Sequence, residues 1–292
     1  MQMRRRVVFT LVAVLAVILA TTLLVSQRHV RRATPPAASP SATIGPSTAP
    51  SATASATASP TPSQPGPHPT VTPLPGPFEI PAQLRGKDVE YIPTSRPIVA
   101  LTFDAGANAD GLPSILATLA IERISATFFL TGDFASRYPA AVRSIVAAGH
   151  RLGNHTVTHP YCTSLSEAAI AQQITGAEAQ VRAAGGTSTR PLFRFPYGDR
   201  DRRTITAVNN TGYVAVRWTV DSKGWQGTSG GMSVRAVVDR VVGAARPGEI
   251  VLMHIGSNPD DHTMLDAQAL PTVIAQLRGR GYGFETLDAL LT

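Results

Sequence analysis

From Phe78 onward short apolar runs alternate with longer amphipathic ones, and that rhythm limits the fold more than any other feature of the chain. Ile98–Phe103 (IVALTF), Ala126–Leu130 (ATFFL), Leu192–Arg194, Tyr213–Trp218, Glu249–Met253 and Tyr282–Glu285 read as strands. Leu112–Glu122, Tyr138–Ala148, Ser166–Ala184, Arg202–Asn210, Ser233–Ala245 and Leu265–Arg278 read as helices. Gly149 ends the second of these helices; Ser166 caps the third, and Gly185-Gly186 follows it. Such alternation over about 200 residues predicts an α/β domain, with parallel strands wrapped by helices as a barrel or an open sheet. In either architecture a ligand sits at the carboxyl ends of the strands.

Upstream, the chain lacks the means to build a core. Residues 33–78 are mainly Ala, Ser, Thr and Pro, hold 13 of the 24 prolines and carry no charge. Such a segment buries too little apolar surface to fold, and its prolines favour extended backbone, so it reads as a disordered linker. Residues 7–25 are uncharged and almost wholly apolar. As a helix they would rise about 28 Å, close to the thickness of a bilayer's hydrocarbon. Arg4–Arg6 precede them and Arg28, Arg31 and Arg32 follow. Residues 1–32 therefore read as a cytoplasmic tail and single-pass cell-membrane anchor, with the folded part, residues 79–292, outside the cell. A cleaved signal with secretion is the alternative, disfavoured by the length of the run and the lack of an A-x-A site.

The pI of about 10.2 belongs to this tail. Residues 79–292 hold 20 basic against 19 acidic side chains, which gives no warrant for a nucleic-acid surface. One cysteine, Cys162, excludes an internal disulfide and any multi-cysteine metal site. A monomer is expected.

The chemistry-bearing residues fall at strand ends. Asp104 follows IVALTF, Arg194 follows PLF, Asp221 follows VAVRWTV and His254 follows EIVLM. One such residue could arise by chance; four in one βα domain are better explained by a shared mouth. His155 and His159 stand four apart in GNHTVTHP. In an extended segment they would lie about 13 Å apart, too far to share an ion. One helical turn would bring them to about 6 Å, near enough for two ligands on one metal. Thr156, Val157 and Thr158 are poor helix formers and Pro160 restricts His159, so a single turn braced by Pro160 is expected.

With these residues in place the chain resembles the NodB-type polysaccharide deacetylases, the fourth carbohydrate esterase family. LTFDAGAN (101–108), HTVTHP (155–160), FRFPYG (193–198), VDSKGW (220–225) and IVLMH (250–254) resemble that family's five motifs, in its order, over about residues 97–291. The resemblance implies a distorted (β/α) barrel that removes N- or O-acetyl groups from sugar polymers such as peptidoglycan or chitin. It implies that Asp104 is the general base, His155 and His159 are ligands of a divalent metal, zinc by preference, and Arg194 orients Asp104. It further implies that the Tyr197 backbone N–H stabilises the oxyanion, His254 protonates the leaving group and Trp225 lines the sugar groove. Amide hydrolysis needs an activated water, a stabilised oxyanion and a proton for the leaving nitrogen, and this set supplies them.

Two positions depart from the family pattern. The acid that usually follows the base and supplies a third metal ligand is replaced by Ala105, and Asn108, Asp110 or Asp104 itself is left to complete the shell. The acid that usually precedes the motif tryptophan is replaced by Gly224, which leaves Asp221 as the candidate to tune His254. The loss at 105 keeps a second reading open, a catalytically silent glycan-binding module; retention of Asp104, Arg194 and His254 favours the enzyme.

Overall fold

A computed structural model describes residues 79–292; the anchor expected at 7–25 and the linker at 33–78 lie outside the described residues. Among the described residues no helix is long and apolar enough to cross a membrane. Among the described residues nine strands form one sheet: β1 (Asp88–Val89), β2 (Ile98–Ala105), β3 (Thr127–Leu130), β4 (Arg151–Asn154), β5 (Leu192–Phe193), β6 (Val214–Val216), β7 (Val220–Asp221), β8 (Glu249–His254) and β9 (Gly283–Phe284). Their order is β1-β6-β5-β4-β3-β2-β8-β7, with β9 added to β2. Every strand pairing is parallel.

The helices are α1 (Leu112–Glu122), α2 (Gly132–Arg137), α3 (Pro139–Ala147), α4 (Glu167–Ala183), α5 (Arg202–Asn210), α6 (Val234–Gly243) and α7 (Leu265–Gly279). Their starts follow local chemistry. Ser166, Asp201 and Ser233 each accept an amide hydrogen from the first turn of α4, α5 and α6, which satisfies a donor the helix itself cannot.

The expected α/β architecture is present, but hydrogen bonding does not close the barrel. β1 and β7 are the ends of the strand order, and the sheet is an open, curled half-barrel. The segment after β1 reaches across by single contacts: the isolated bridge Tyr91–Glu249 joins it to β8, and Thr219 Oγ1, just before β7, donates to Glu90 O at 2.7 Å. Two-residue strands cannot supply a longer ladder.

Strand parity divides the core. On β2, Val99, Leu101, Phe103 and Ala105 pack into the apolar layer beneath the helices. Ile98 and Ala100 point the other way, into a cluster with Phe129, Val214, Ile250 and Leu287. Thr102 and Asp104 share that inner face by the period of two. The core therefore delivers Asp104 to the carboxyl end of the sheet with its side chain turned inward. Register then places His254 directly opposite Asp104 on the neighbouring strand.

β4 (RLGN) has a single large apolar residue, and its tight approach needs a glycine. A Cβ on Gly153 would stand 2.5 Å from two ring carbons of the fully buried Phe129. Gly153→Ala is expected to cost about 1–3 kcal/mol through overpacking. A thermal or denaturant melt checks this, and Phe129→Leu in the same chain should return part of the loss.

Candidate active site

The carboxyl ends of the strands surround a cavity of about 540 Å³ whose lining includes Asp104, His155, His159, Tyr197, Asp221, Trp225 and His254. Of the residues singled out in the sequence these seven meet at one mouth, with Arg194 just beneath it.

Arg194 is fully buried and Asp104 is 7% exposed. Arg194 Nη1 donates to Asp104 Oδ1 at 2.7 Å, Nη2 donates to the Arg217 carbonyl at 3.0 Å, and the guanidinium lies 4.1 Å from the centre of the Phe129 ring. Burial works against the Asp104 charge, but Arg194, with His155 and His254, outweighs it and holds the carboxyl below its ordinary value.

The backbone of Arg194 also orients the histidine pair. His155 Nδ1 donates to the Arg194 carbonyl at 2.8 Å, which leaves the Nε2 lone pair free. That Nε2 stands 3.2 Å from His159 Nε2 and 3.4 Å from Asp104 Oδ2. Burial lowers the proton affinity of His155; burial and then His155 push the His159 ring down to about 4. Near neutral pH both rings offer lone pairs to the same small space beside an anionic oxygen. That donor chemistry fits a divalent ion.

The expected helical turn at 155–160 is not formed. Thr156 and His159 both take left-handed backbone, at φ 68° and 59°. The Asn154 side chain holds the Thr156 N–H at 3.0 Å, and Thr156 Oγ1 holds the His159 N–H at 3.1 Å. Side-chain capping of this irregular loop brings the imidazoles together instead. Tyr197 (φ 57°) and Lys223 (φ 60°), in two other site loops, share this uncommon conformation, a form of strain that clusters at functional sites.

Of the three candidates to complete a metal shell, Asp104 alone reaches the histidines. Asn108 Oδ1 accepts the Ser257 N–H at 2.8 Å and its Nδ2 donates to the Ser257 carbonyl, while Asp110 accepts from the Ser257 hydroxyl; they latch one loop to another. Ala105 faces the apolar layer, away from the cavity. Among the described residues no group of three or more His, Cys, Asp and Glu side chains is arranged to hold a metal ion.

Tyr197 and Trp225 are 58% and 48% exposed at the cavity. Tyr197 stacks on Tyr161 at 4.3 Å between ring centres and meets His159 edge-on at 4.4 Å. The Tyr197 N–H lies in the first turn of a 3-10 helix, Pro196–Gly198, where amide hydrogens have no intrahelical acceptor. Trp225 Nε1 lies 3.5 Å from Asp221 Oδ2, and Asp221 Oδ1 accepts the Lys223 N–H at 2.8 Å.

Asp221 is thus engaged with its own loop, and the carboxylate in contact with His254 is Asp266, absent from the sequence reading. Asp266 Oδ2 accepts the His254 backbone N–H at 2.8 Å and lies 3.7 Å from His254 Nδ1. Burial opposes charge on the His254 ring, but Asp266, Asp104 and Asp221 outweigh it and hold its proton affinity above the ordinary value. An acid in the first turn of a helix is unremarkable in sequence because it suits the helix dipole, so nothing marked Asp266.

A model of the polysaccharide deacetylase family matches residues 91–216. The chitooligosaccharide deacetylase of Sinorhizobium fredii is 35% identical over 201 residues, which span 66% of this chain and 92% of that protein. The crystal structure of the peptidoglycan N-acetylglucosamine deacetylase Bc1960 superposes with a TM-score of 0.63 at 31% identity, covering 69% of this chain and 91% of that one. BA3943 from Bacillus anthracis, described as a CE4 family pseudoenzyme, superposes with a TM-score of 0.61 at 28% identity over 68% of this chain and 66% of that one. The chain belongs to the polysaccharide deacetylase family.

Removing one member of the buried pair should be costly. Arg194→Met is expected to destabilise the fold by about 3–5 kcal/mol, because it strands the Asp104 charge. Asp104→Leu combined with Arg194→Met should recover part of that loss in urea unfolding. The Asp104 carboxyl titrates below its ordinary 3.8 in the folded state. Its contribution is therefore present above that pH and lost as pH falls through the folded value.

Proposed function

We propose that the protein hydrolyses acetyl groups from N-acetylated glycans, with chitin-type and peptidoglycan polymers as the substrate class and sugar O-acetyl esters open to the same chemistry. The observation that carries this reading is the pairing of Asp104 and His254, in register on neighbouring strands and lining one cavity beside His155 and His159. A carboxylate held ionised and an imidazole of raised proton affinity form the base and acid that amide hydrolysis requires.

The steps follow from the positions. The sugar lies against Trp225 and Tyr197, whose exposed rings suit the apolar face of a pyranose. Asp104, held rigid by Arg194, takes a proton from the attacking water as its oxygen bonds to the acetyl carbon. The Tyr197 N–H would stabilise the resulting oxyanion. His254 then gives a proton to the leaving nitrogen, the C–N bond breaks, and acetate and the free amine depart. His155 and His159 would hold a divalent ion, zinc by ligand chemistry, which when bound supplies Lewis acidity and makes water easier to deprotonate.

The apolar run at 7–25 and the charge-free linker at 33–78 support a membrane-tethered, extracellular enzyme acting as a monomer. Full-length protein should sediment with membranes and resist a salt wash; a soluble form lacking residues 1–25 in the medium would show a cleaved signal.

A second reading, a silent glycan-binding module, is favoured by Ala105 and by the lack of a three-donor metal cluster among the described residues. Acetate release from N-acetylglucosamine oligomers and from N-acetylated peptidoglycan separates the two. Asp104→Asn and His254→Ala should each lower turnover by at least about 10²-fold while the fold survives, Asp104→Asn at reduced stability because it strands the Arg194 charge. Binding of saccharide without acetate release, with or without added zinc, would favour the silent module.

Zinc should bind reversibly and with modest affinity, because two imidazoles supply fewer donors than a usual catalytic site. Titration calorimetry should show one site that His155→Ala abolishes, with activity lost in the same variant and on addition of chelator. Active protein free of metal and indifferent to chelator would assign the histidines a hydrogen-bonding role instead.

A further inference from the structure

Gly224 stands where its backbone does not need a glycine. It opens a 3-10 turn, Gly224–Gln226, and is not among the residues of positive φ, so the backbone there would accept any L side chain. What excludes a side chain is Asp266. A Cβ built on Gly224 overlaps the Asp266 carboxylate, whose Cγ would be 2.5 Å away.

Asp266 reaches this space from α7, on the far side of His254, and is 3% exposed. One oxygen accepts the His254 backbone N–H, and the carboxylate lies 3.7 Å from His254 Nδ1. That ring nitrogen and the other carboxylate oxygen are both buried and have no other hydrogen-bond partner among the described residues. Buried polar groups left unpaired are costly, and Nδ1, a potential donor, has this same carboxylate 3.7 Å away at its Oδ2. A small rotation of ring or carboxylate lets Nδ1–H donate to Asp266. The other ring nitrogen, Nε2, is then the one turned to the cavity.

We propose that Asp266 is the positioning residue of His254, supplying from α7 the carboxylate that a side chain at 224, beside Trp225, would otherwise supply, and that Gly224 is small because Asp266 fills its place. The proposal rests on His254 being the proton donor of the deacetylation. In that step the proton leaves Nε2 for the leaving nitrogen, the C–N electron pair goes to that nitrogen, and the ring is left neutral with its hydrogen on Nδ1, facing Asp266.

The test is a cycle in the full-length protein: wild type, Asp266→Asn, Asp266→Ala, Gly224→Asp and the double variant Gly224→Asp/Asp266→Ala. Acetate release from the N-acetylglucosamine pentamer gives kcat and KM. Asp266→Ala and Asp266→Asn should lower kcat at least about tenfold, the usual weight of a lost supporting partner, with KM within about twofold. Gly224→Asp alone should lower both kcat and melting temperature, because the two carboxylates collide. The double variant should exceed Asp266→Ala in kcat by several-fold, a non-additivity expected only if both positions serve one space. A second readout is independent of turnover: nitrogen-15 spectra of the imidazoles, assigned with His254→Gln, should place the hydrogen of neutral His254 on Nδ1 in the wild type and shift it in Asp266→Ala.

Normal kcat in Asp266→Ala, a double variant no better than the product of the single ones, or a wild-type His254 with its hydrogen on Nε2 would each overturn the proposal. A wild type that releases no acetate would instead overturn the deacetylase reading, and the imidazole spectra would then decide the pairing alone.

Discussion

The buried ion pair between Asp104 and Arg194 organises this end of the molecule. Neither charge tolerates that depth alone, so each requires the other's strand end to be in place. The pair ties β2 to the segment after β5, two strands that do not touch in the sheet order. Arg194 also reaches the carbonyls of Val216 and Arg217 and, through its own carbonyl, fixes the tautomer of His155. One guanidinium and its peptide group thus set the charge of the base and the orientation of the first imidazole.

Around this pair regular strands fix the register and the loops carry uncommon backbone. Parallel register decides that Asp104 faces His254, and strand parity decides that Asp104 rather than Ala105 looks into the cavity. The left-handed residues Thr156, His159, Tyr197 and Lys223 lie in the segments that leave strand ends, where the backbone must turn toward the cavity within a few residues. Their conformations persist because side chains hold them: Asn154 and Thr156 in one loop, Asp221 in another. Preorganisation of this kind lets catalytic groups meet a substrate without reorganising.

The two departures from the family motifs differ in kind. At 105 the methyl group is absorbed into the apolar layer beneath α1, and nothing nearby restores an acid. At 224 the loss of a side chain coincides with a carboxylate from another element in the same volume. The first weakens the donor set around His155 and His159. The second leaves the surroundings of His254 anionic, with the acid relocated to α7.

Local sequence determined six of the seven helices described and the long strands; α2 (Gly132–Arg137) was not read from it. The bounds of α1 follow from its own apolar run and those of α5 from its periodicity and the Asp201 cap, and β2 and β8 are mostly apolar and almost wholly buried because both faces of a parallel sheet are covered. It also determined that Asp104, Arg194, Asp221 and His254 lie at one mouth, since each ends or follows an apolar run and parallel strands align their carboxyl ends. It did not reveal β4 or β7, whose few residues are held by neighbours rather than by propensity, nor that the barrel stays open between β1 and β7. The histidine pair was legible as a pair, but its geometry was not, because side-chain bonds from Asn154 and Thr156 replace the helical turn that spacing implied. The partner of His254 was decided only in three dimensions. Asp266 lies twelve residues beyond it on a different element, and a contact across that distance depends on how α7 packs, which no local pattern encodes.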